Sequence, residues 1–291
     1  MARRKAMSMF IASMLIFGTI GIFRRYIPLS SAFLAFARGI LGGLFLLAFM
    51  KVRKKNAGTK LPSGVLLRLA VTGALIGVNW ILLFEAYNHT TVAIATLCYY
   101  MAPTIVVLLS PMLFKERLTG KKAVCAAVSV LGMALVSGVI GGGPGGGSVR
   151  GILFGLGAAV LYAAVVIMNK KTPGINAYQK TTVQLLSAGL VMLPYLLLTN
   201  GFTGEGFSLS AALLLLTVGV VHTGVAYALY FGSMEGLSVQ TIAVFSYIDP
   251  VSALLFSALL LREPLSLLNI IGAVMIIGSA MVSEVKLKNE N

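Results

Sequence analysis

Charge is scarce in this chain: Asp, Glu, Lys and Arg make up 11% of 291 residues, and acidic side chains number eight. So little charge leaves too little polar surface to keep a folded chain solvated in water. Cysteine is rarer still. Cys98 and Cys125 both lie inside apolar runs, which excludes a disulfide framework and a metal-ligand spacing. An enzyme would need convergent catalytic groups or a metal cluster, and two widely separated histidines with scattered carboxylates supply neither. No nucleotide-binding motif is present. The glycine-dense stretch Gly141 to Ser148, GGGPGGGS, lacks the Gly-Lys-Ser/Thr ending of a phosphate-cradling loop. Its composition suits a flexible linker instead.

What is present is apolar. Hydrophobic residues reach 58% and mean hydropathy is +0.95. Runs of about 20 apolar residues, enough to cross a hydrocarbon core of about 30 Å, can be placed ten times. The predicted spans are Ala6 to Phe23, Ser30 to Met50, Val65 to Tyr87, Val92 to Phe114, Lys122 to Ile140, Gly151 to Asn169, Tyr178 to Leu198, Leu209 to Gly232, Val239 to Leu261 and Leu267 to Val285. The first has a basic start but no convincing small-residue cleavage site, and further spans follow directly, so it reads as a retained helix rather than a signal peptide.

The two halves repeat. YMAPTIVVLLSPMLFKERLTGKKAV from Tyr100 aligns without a gap on YIDPVSALLFSALLLREPLSLLNII from Tyr247, matching Pro103 with Pro250, Glu116 with Glu263 and Thr119 with Ser266. Five spans lie on each side of the linker, giving repeats over residues 1–140 and 149–291 joined by 141–148. An odd number of crossings places the second copy upside down in the membrane. The basic residues agree. With the amino terminus in the cytoplasm, eighteen of the 23 Lys and Arg residues fall on the cytoplasmic side, and only Arg24, Arg25, Arg150 and Arg262 fall outside, with Arg38 inside a span. The net charge of +15 is therefore a topology signal and not a nucleic-acid footprint. The expected fold is an all-α membrane protein of ten transmembrane helices in two inverted five-helix repeats, with both termini cytoplasmic.

Each half carries Tyr and Pro in its fourth helix, then a turn reading Glu116, Arg117, Leu118, Thr119 or Glu263, Pro264, Leu265, Ser266, and then a fifth helix. With five helices per half, this pattern resembles the EamA family of the drug/metabolite transporter superfamily over essentially the whole chain. The resemblance implies export of small metabolites or amino acids across the inner membrane, through a central cavity lined by helices 1 to 4 and 6 to 9, with helices 5 and 10 peripheral. No cofactor is expected. The partners implied are a small-molecule substrate, membrane lipid and protons. Two alternatives of another class are a membrane-embedded enzyme and a non-transporting receptor or structural protein. Midplane charges and paired prolines argue against the second.

An ionisable group in hydrocarbon costs about 2.5–3.5 kcal/mol at a helix centre, so each needs a reason. Arg38 and Asp249 both fall near the midplane by residue count. Two readings fit them: a fixed structural ion pair or separate solvated charges, or a substrate-carboxylate anchor at Arg38 with a protonatable switch at Asp249. Pro103 and Pro250, at matched mid-span positions, are expected to bend their helices and act as hinges. Gln240, Tyr247 and Pro250 share one helical stripe, as do Thr96, Tyr99 or Tyr100, and Pro103. The helix pitch turns Asp249 away from Tyr247 by roughly 160°. Asn79, Trp80, Tyr227 and Tyr230 are further candidates for contact with substrate, and His222 for coupling. Trp80 and the tyrosines serve equally well as packing or interface anchors, and a lone buried histidine as a hydrogen-bonded structural residue. Glu116 and Glu263 are expected to hold their corners through charge-assisted hydrogen bonds. Gly39, Gly42, Gly43, Gly73 and Gly77 make small faces for close helix packing.

Overall fold

Apolar runs with no water to satisfy their backbone must satisfy it internally, and helices do so segment by segment. The computed structural model describes residues 3–53, 61–114, 119–136, 148–172, 174–199, 207–234, 236–237, 241–242 and 245–284, and these are helical with no strand among them. In chain order the helices are α1 Arg3–Gly18, α2 Ile20–Arg25, α3 Ser31–Val52, α4 Ser63–His89, α5 Val92–Tyr99, α6 Ala102–Phe114 and α7 Gly120–Val136. The second half continues with α8 Val149–Lys170, α9 Ala177–Leu198, α10 Leu209–Gly219, a π-helical turn Val220–Val225, α11 Ala226–Met234, α12 Ile248–Leu260 and α13 Leu267–Glu284.

Among the described residues, seven stretches are long and apolar enough to cross a bilayer: Arg3–Arg25, Ser31–Val52, Ser63–His89, Val92–Leu113, Val149–Lys170, Ala177–Leu198 and Leu209–Met234. Ile248–Leu260 and Leu267–Ser283 are shorter apolar helices. The fifth predicted span is α7, whose 17 residues rise roughly 25 Å. Glu116 and most of the glycine stretch, Gly141 to Gly147, lie outside the described residues.

Polar caps mark where the helices start. Ser30, Thr91, Asn176, Ser208 and Ser266 each accept a hydrogen bond from a first-turn amide: Phe33, Ile94, Tyr178, Ala211 and Asn269 respectively. Four predicted spans are interrupted, the ninth at Ser246–Tyr247 before α12. The first breaks at Thr19, whose hydroxyl donates to the Ile16 carbonyl at 2.7 Å. The fourth breaks at Tyr100–Met101, between α5 and α6. The eighth loosens into the π-turn.

Lipid tails are as apolar as leucine, so helices in a membrane are held by close packing and interhelical hydrogen bonds rather than by water exclusion. The small faces serve that purpose. A Cβ on Gly39 of α3 would stand 2.7 Å from the Gly189 nitrogen and the Leu185 carbonyl of α9, so the two backbones touch. Helices α7 and α13 meet the same way: a Cβ on Gly132 would stand 2.8 Å from the Gly272 carbonyl, and one on Gly272 2.6 Å from that of Gly132. Ser129 and Ser279 share a 2.6 Å bond across that seam. α4 packs on both α8 and α9, α1 on α11 and α12, α3 on the π-turn and α10, and α5 on α12. Large apolar side chains such as Met112, Leu198 and Leu259 remain exposed on the perimeter, as a lipid-facing surface requires.

Candidate functional site

Between the two halves lies a cavity of about 340 Å³. Phe17 and Gly18 of α1, Ile20 of α2, Arg38 of α3 and Asn79, Trp80 and Tyr87 of α4 form one side. Thr96, Tyr99, Tyr100 and Pro103 of the fourth span, Tyr162 of α8, Tyr227 and Tyr230 of α11, and Tyr247 and Asp249 by α12 form the other. No described residue of α7, α9 or α13 borders it, which leaves the fifth and tenth spans peripheral as expected and the seventh set back.

Arg38 is 5% exposed. Its Nε donates to Thr223 Oγ1 at 2.8 Å, and its guanidinium lies over the Trp80 ring, 4.1 Å from the centroid. Cation–π contact of this kind is stronger once the cation is desolvated. Thr223 belongs to the π-turn and donates its own hydroxyl proton to the Val218 carbonyl at 3.0 Å. Asp249 Oδ2 accepts a 2.6 Å hydrogen bond from the Tyr100 hydroxyl. Arg38 and Asp249 thus share one cavity, but no ion pair joins them.

The aromatic wall is continuous. Tyr99 lies 5.3 Å from Tyr162 and 6.1 Å from Tyr100, ring centre to ring centre, and Tyr100 lies 6.4 Å from Tyr247. Tyr227 meets Phe17 at 5.3 Å. Tyr100 and Tyr247 are matched positions of the internal repeat, so the equivalent residues of the two copies meet at the cavity, their rings tilted at 51°.

The helix wheel failed for the ninth span. Tyr247 and Asp249 both border the cavity because Ser246 and Tyr247 form a turn before α12, and a 100° step per residue does not apply across a turn. Both prolines are also placed differently from a mid-helix kink. Pro103 and Pro250 stand in the first turns of α6 and α12, where a missing N–H removes no intrahelical bond. Pro103 borders the cavity and Pro250 is buried behind it. If these breaks are hinges, Pro103→Ala with Pro250→Ala restores two amide donors and lets each broken span fuse. The double variant should extract as folded protein and show several-fold slower amide hydrogen exchange around Tyr100 and Tyr247. Unchanged exchange would show that the breaks persist without proline.

One candidate lies elsewhere. His222 does not border the cavity: its Nε2 sits 2.9 Å from Thr19 Oγ1, its Nδ1 3.5 Å from the Thr217 carbonyl, and its ring packs on Phe23 at 4.5 Å. It ties the π-turn to the break in the first span. Asn79 donates to the Ala158 carbonyl at 2.6 Å, which locks α4 to α8 beside the cavity. Gln240 lies outside the described residues. Conversely, Tyr87, Tyr162 and Thr223 were not singled out. Tyrosines within apolar runs could have been flagged by their hydroxyls, whereas a π-turn has no sequence signature.

One end of the cavity is clamped. Glu263 accepts from Arg25 Nη2 at 2.9 Å, from the Val92 amide at 2.8 Å and from Ser257 Oγ at 2.6 Å. Arg25 Nη2 also donates to the Thr90 carbonyl at 2.9 Å. The corner role expected of Glu263 is present, and it reaches further than its own corner. It joins the end of α2, the start of α5 and the end of α12, the three elements that carry Ile20, Thr96 and Asp249 to the cavity.

The EamA-like transporter family model matches this chain twice, over residues 4–138 and 149–284. An uncharacterized transporter, YxxF, of Bacillus subtilis is 27% identical over 95% of this chain and 88% of its own length. An uncharacterized transporter of Archaeoglobus fulgidus is 29% identical over 94% of both chains. Protein PecM of Dickeya dadantii is 28% identical over 76% of this chain and 74% of its own. A solved crystal structure with 22% identity superposes on 96% of both chains with a TM-score of 0.64, a likeness of fold.

Proposed function

The chain belongs to the EamA-like transporter family, and from that membership we propose that it is a secondary active transporter that exports small metabolites or amino acids by alternating access. Its relatives are named as transporters, and its helices make it a multi-pass membrane protein. The observation that carries the mechanism is a buried arginine and a half-buried aspartate that face one cavity between the repeats without neutralising each other. Unpaired charges at such a depth are costly unless a substrate or a proton completes them. Arg38 holds the substrate, the tyrosines, Asn79 and Trp80 shape its path with Gln240, and Asp249 carries the coupling proton. His222 is a second titratable group, acting through Thr19 on the first span.

The architecture proposed is ten spans in two inverted repeats, 1–140 and 149–291, in the cytoplasmic membrane with both termini inside. The contact pattern supports it. Exchanging the halves turns the packing of α4 on α8 into that of α11 on α1, and leaves α3 with α9, α5 with α12 and α7 with α13 paired as before. A pseudo-two-fold axis requires this. In that orientation the Arg25–Glu263 corner lies at the outer end, where it ties α2, α5 and α12 together. Reporter fusions at Met1 and Asn291 should both report the cytoplasm, and one within the glycine linker the outside. A cytoplasmic linker would break the five-plus-five arrangement and the inverted repeat with it.

The function itself is tested by comparing metabolites inside and outside cells that overexpress the protein. Transport predicts that one or a few compounds move outward at unchanged chemical identity. Conversion of a compound with no change in its distribution would favour a membrane enzyme and overturn the proposal.

A further inference from the structure

We infer that the Nη edge of Arg38 is a receptor for a carboxylate, which places the substrate among carboxylate-bearing metabolites and makes Thr223 a positioning residue for their recognition. The inference rests on the transport reading above and narrows it.

The guanidinium has been restricted until one edge remains. Nε is taken by Thr223, one face is covered by Trp80 at 4.1 Å, and among the described residues no protein acceptor takes the two Nη groups. The side chain is 5% exposed and borders the 340 Å³ cavity. A planar fork of donors on a buried side chain matches the two oxygens of a carboxylate, through two parallel charge-assisted hydrogen bonds. Asp249 does not serve as that partner, because no hydrogen bond or ion pair joins it to Arg38. One guanidinium balances one negative charge. The described lining contains no lysine and no second arginine, so a phosphate dianion would be left half compensated. The tyrosine rings opposite offer apolar faces for the body of the ligand.

Thr223 is placed by the π-turn. Its hydroxyl proton is committed to the Val218 carbonyl five residues back, so its oxygen can only accept from Arg38, and the fork is held with its open edge toward the cavity. Space for this is cleared one turn along α3 from Arg38. A Cβ on Gly42 would stand 2.8 Å from the Thr223 Cβ.

Trp80 is the one tryptophan in the sequence, so the intrinsic fluorescence of the purified full-length protein reports on the ring stacked against this guanidinium. We would titrate it with matched acid and neutral-amide pairs: acetate and acetamide, benzoate and benzamide, and N-acetylphenylalanine and N-acetylphenylalaninamide, with inorganic phosphate as a further arm. At least one acid should give a saturable change that its amide does not. Arg38→Lys should weaken that binding by about tenfold or more, because an ammonium presents no fork. Thr223→Val, which keeps shape but removes the acceptor, should weaken it several-fold, and Thr223→Ser should restore it. A merely structural threonine would alter thermal stability without altering the preference for acid over amide. Equal responses within every pair, an acid response indifferent to Arg38→Lys, or tighter binding of phosphate than of any carboxylate would overturn the inference. Transport and recognition are separable in the same preparation. An acid that binds through Arg38 but never crosses a proteoliposome membrane would count against the transport reading alone. Export that proceeds at the wild-type rate in Arg38→Lys would count against the fork alone.

Discussion

Asp249→Asn should abolish concentrative transport while leaving a folded protein. In proteoliposomes with an imposed pH gradient, the wild type should accumulate its substrate, and the variant should reach only equal concentrations on both sides. Asparagine keeps an oxygen that can accept from the Tyr100 hydroxyl, now 2.6 Å from Asp249 Oδ2, so the packing at the start of α12 should survive. What is lost is the ability to take up and release a proton, and Asp249 alone is acidic among the described lining residues. If Asp249 were instead the structural partner of Arg38, removing its charge would leave the other buried and unpaired, a loss typically worth 3–5 kcal/mol. The variant would then extract as aggregate, and Arg38→Gln in the same chain would repair it. Full gradient-driven accumulation by Asp249→Asn would remove this residue from coupling and leave His222 to carry the proton.

The second large effect is expected where two backbones touch. Gly39→Ala puts a methyl 2.7 Å from backbone atoms of Leu185 and Gly189, and backbone cannot rotate aside as a side chain can. Helices α3 and α9 must separate, and overpacking of this kind costs about 1–3 kcal/mol. Gly39→Leu should yield no monodisperse protein. The control is Gly278→Ala on α13, where an added Cβ meets nothing within 4 Å. That change removes the conformational penalty of glycine in a helix, roughly 0.5–1 kcal/mol, and should be neutral or stabilising. Equal thermal stability of Gly39→Ala and Gly278→Ala after heating and size-exclusion chromatography would mean that the α3–α9 contact is looser than 2.7 Å implies.

The contrast between these two glycines shows where reading the chain succeeds and where it stops. A run of apolar residues long enough for a bilayer has one stable backbone solution, so most of the spans were visible in composition alone. The stretches over Ser31–Val52, Val149–Lys170 and Ala177–Leu198 fall within a few residues of the expected helices. Small faces on α3 and α4 were visible too, since few residues let helices approach closely. Which helix each face meets was not, and Gly278 looks no different in sequence from Gly39. The breaks were half visible. Prolines announced them, but their place at the start of α6 and α12, after a turn, moved Tyr247 and Asp249 onto the same cavity wall.

The sequence by itself determined that this chain belongs in a membrane, that its halves repeat, and that Arg38, Asp249 and the two prolines need explaining, because the cost of charge and missing donors in hydrocarbon depends on residue type and depth and both can be counted along a chain. Only the tertiary structure decided that Arg38 answers to Thr223 and Trp80 rather than to Asp249, that His222 is bonded to Thr19 away from the cavity, and that Glu263 clamps α2, α5 and α12 together. These are contacts between segments as many as 238 positions apart. They depend on side-chain direction and on one π-turn that shifts the register of α11, and no periodicity in the amino-acid sequence records either.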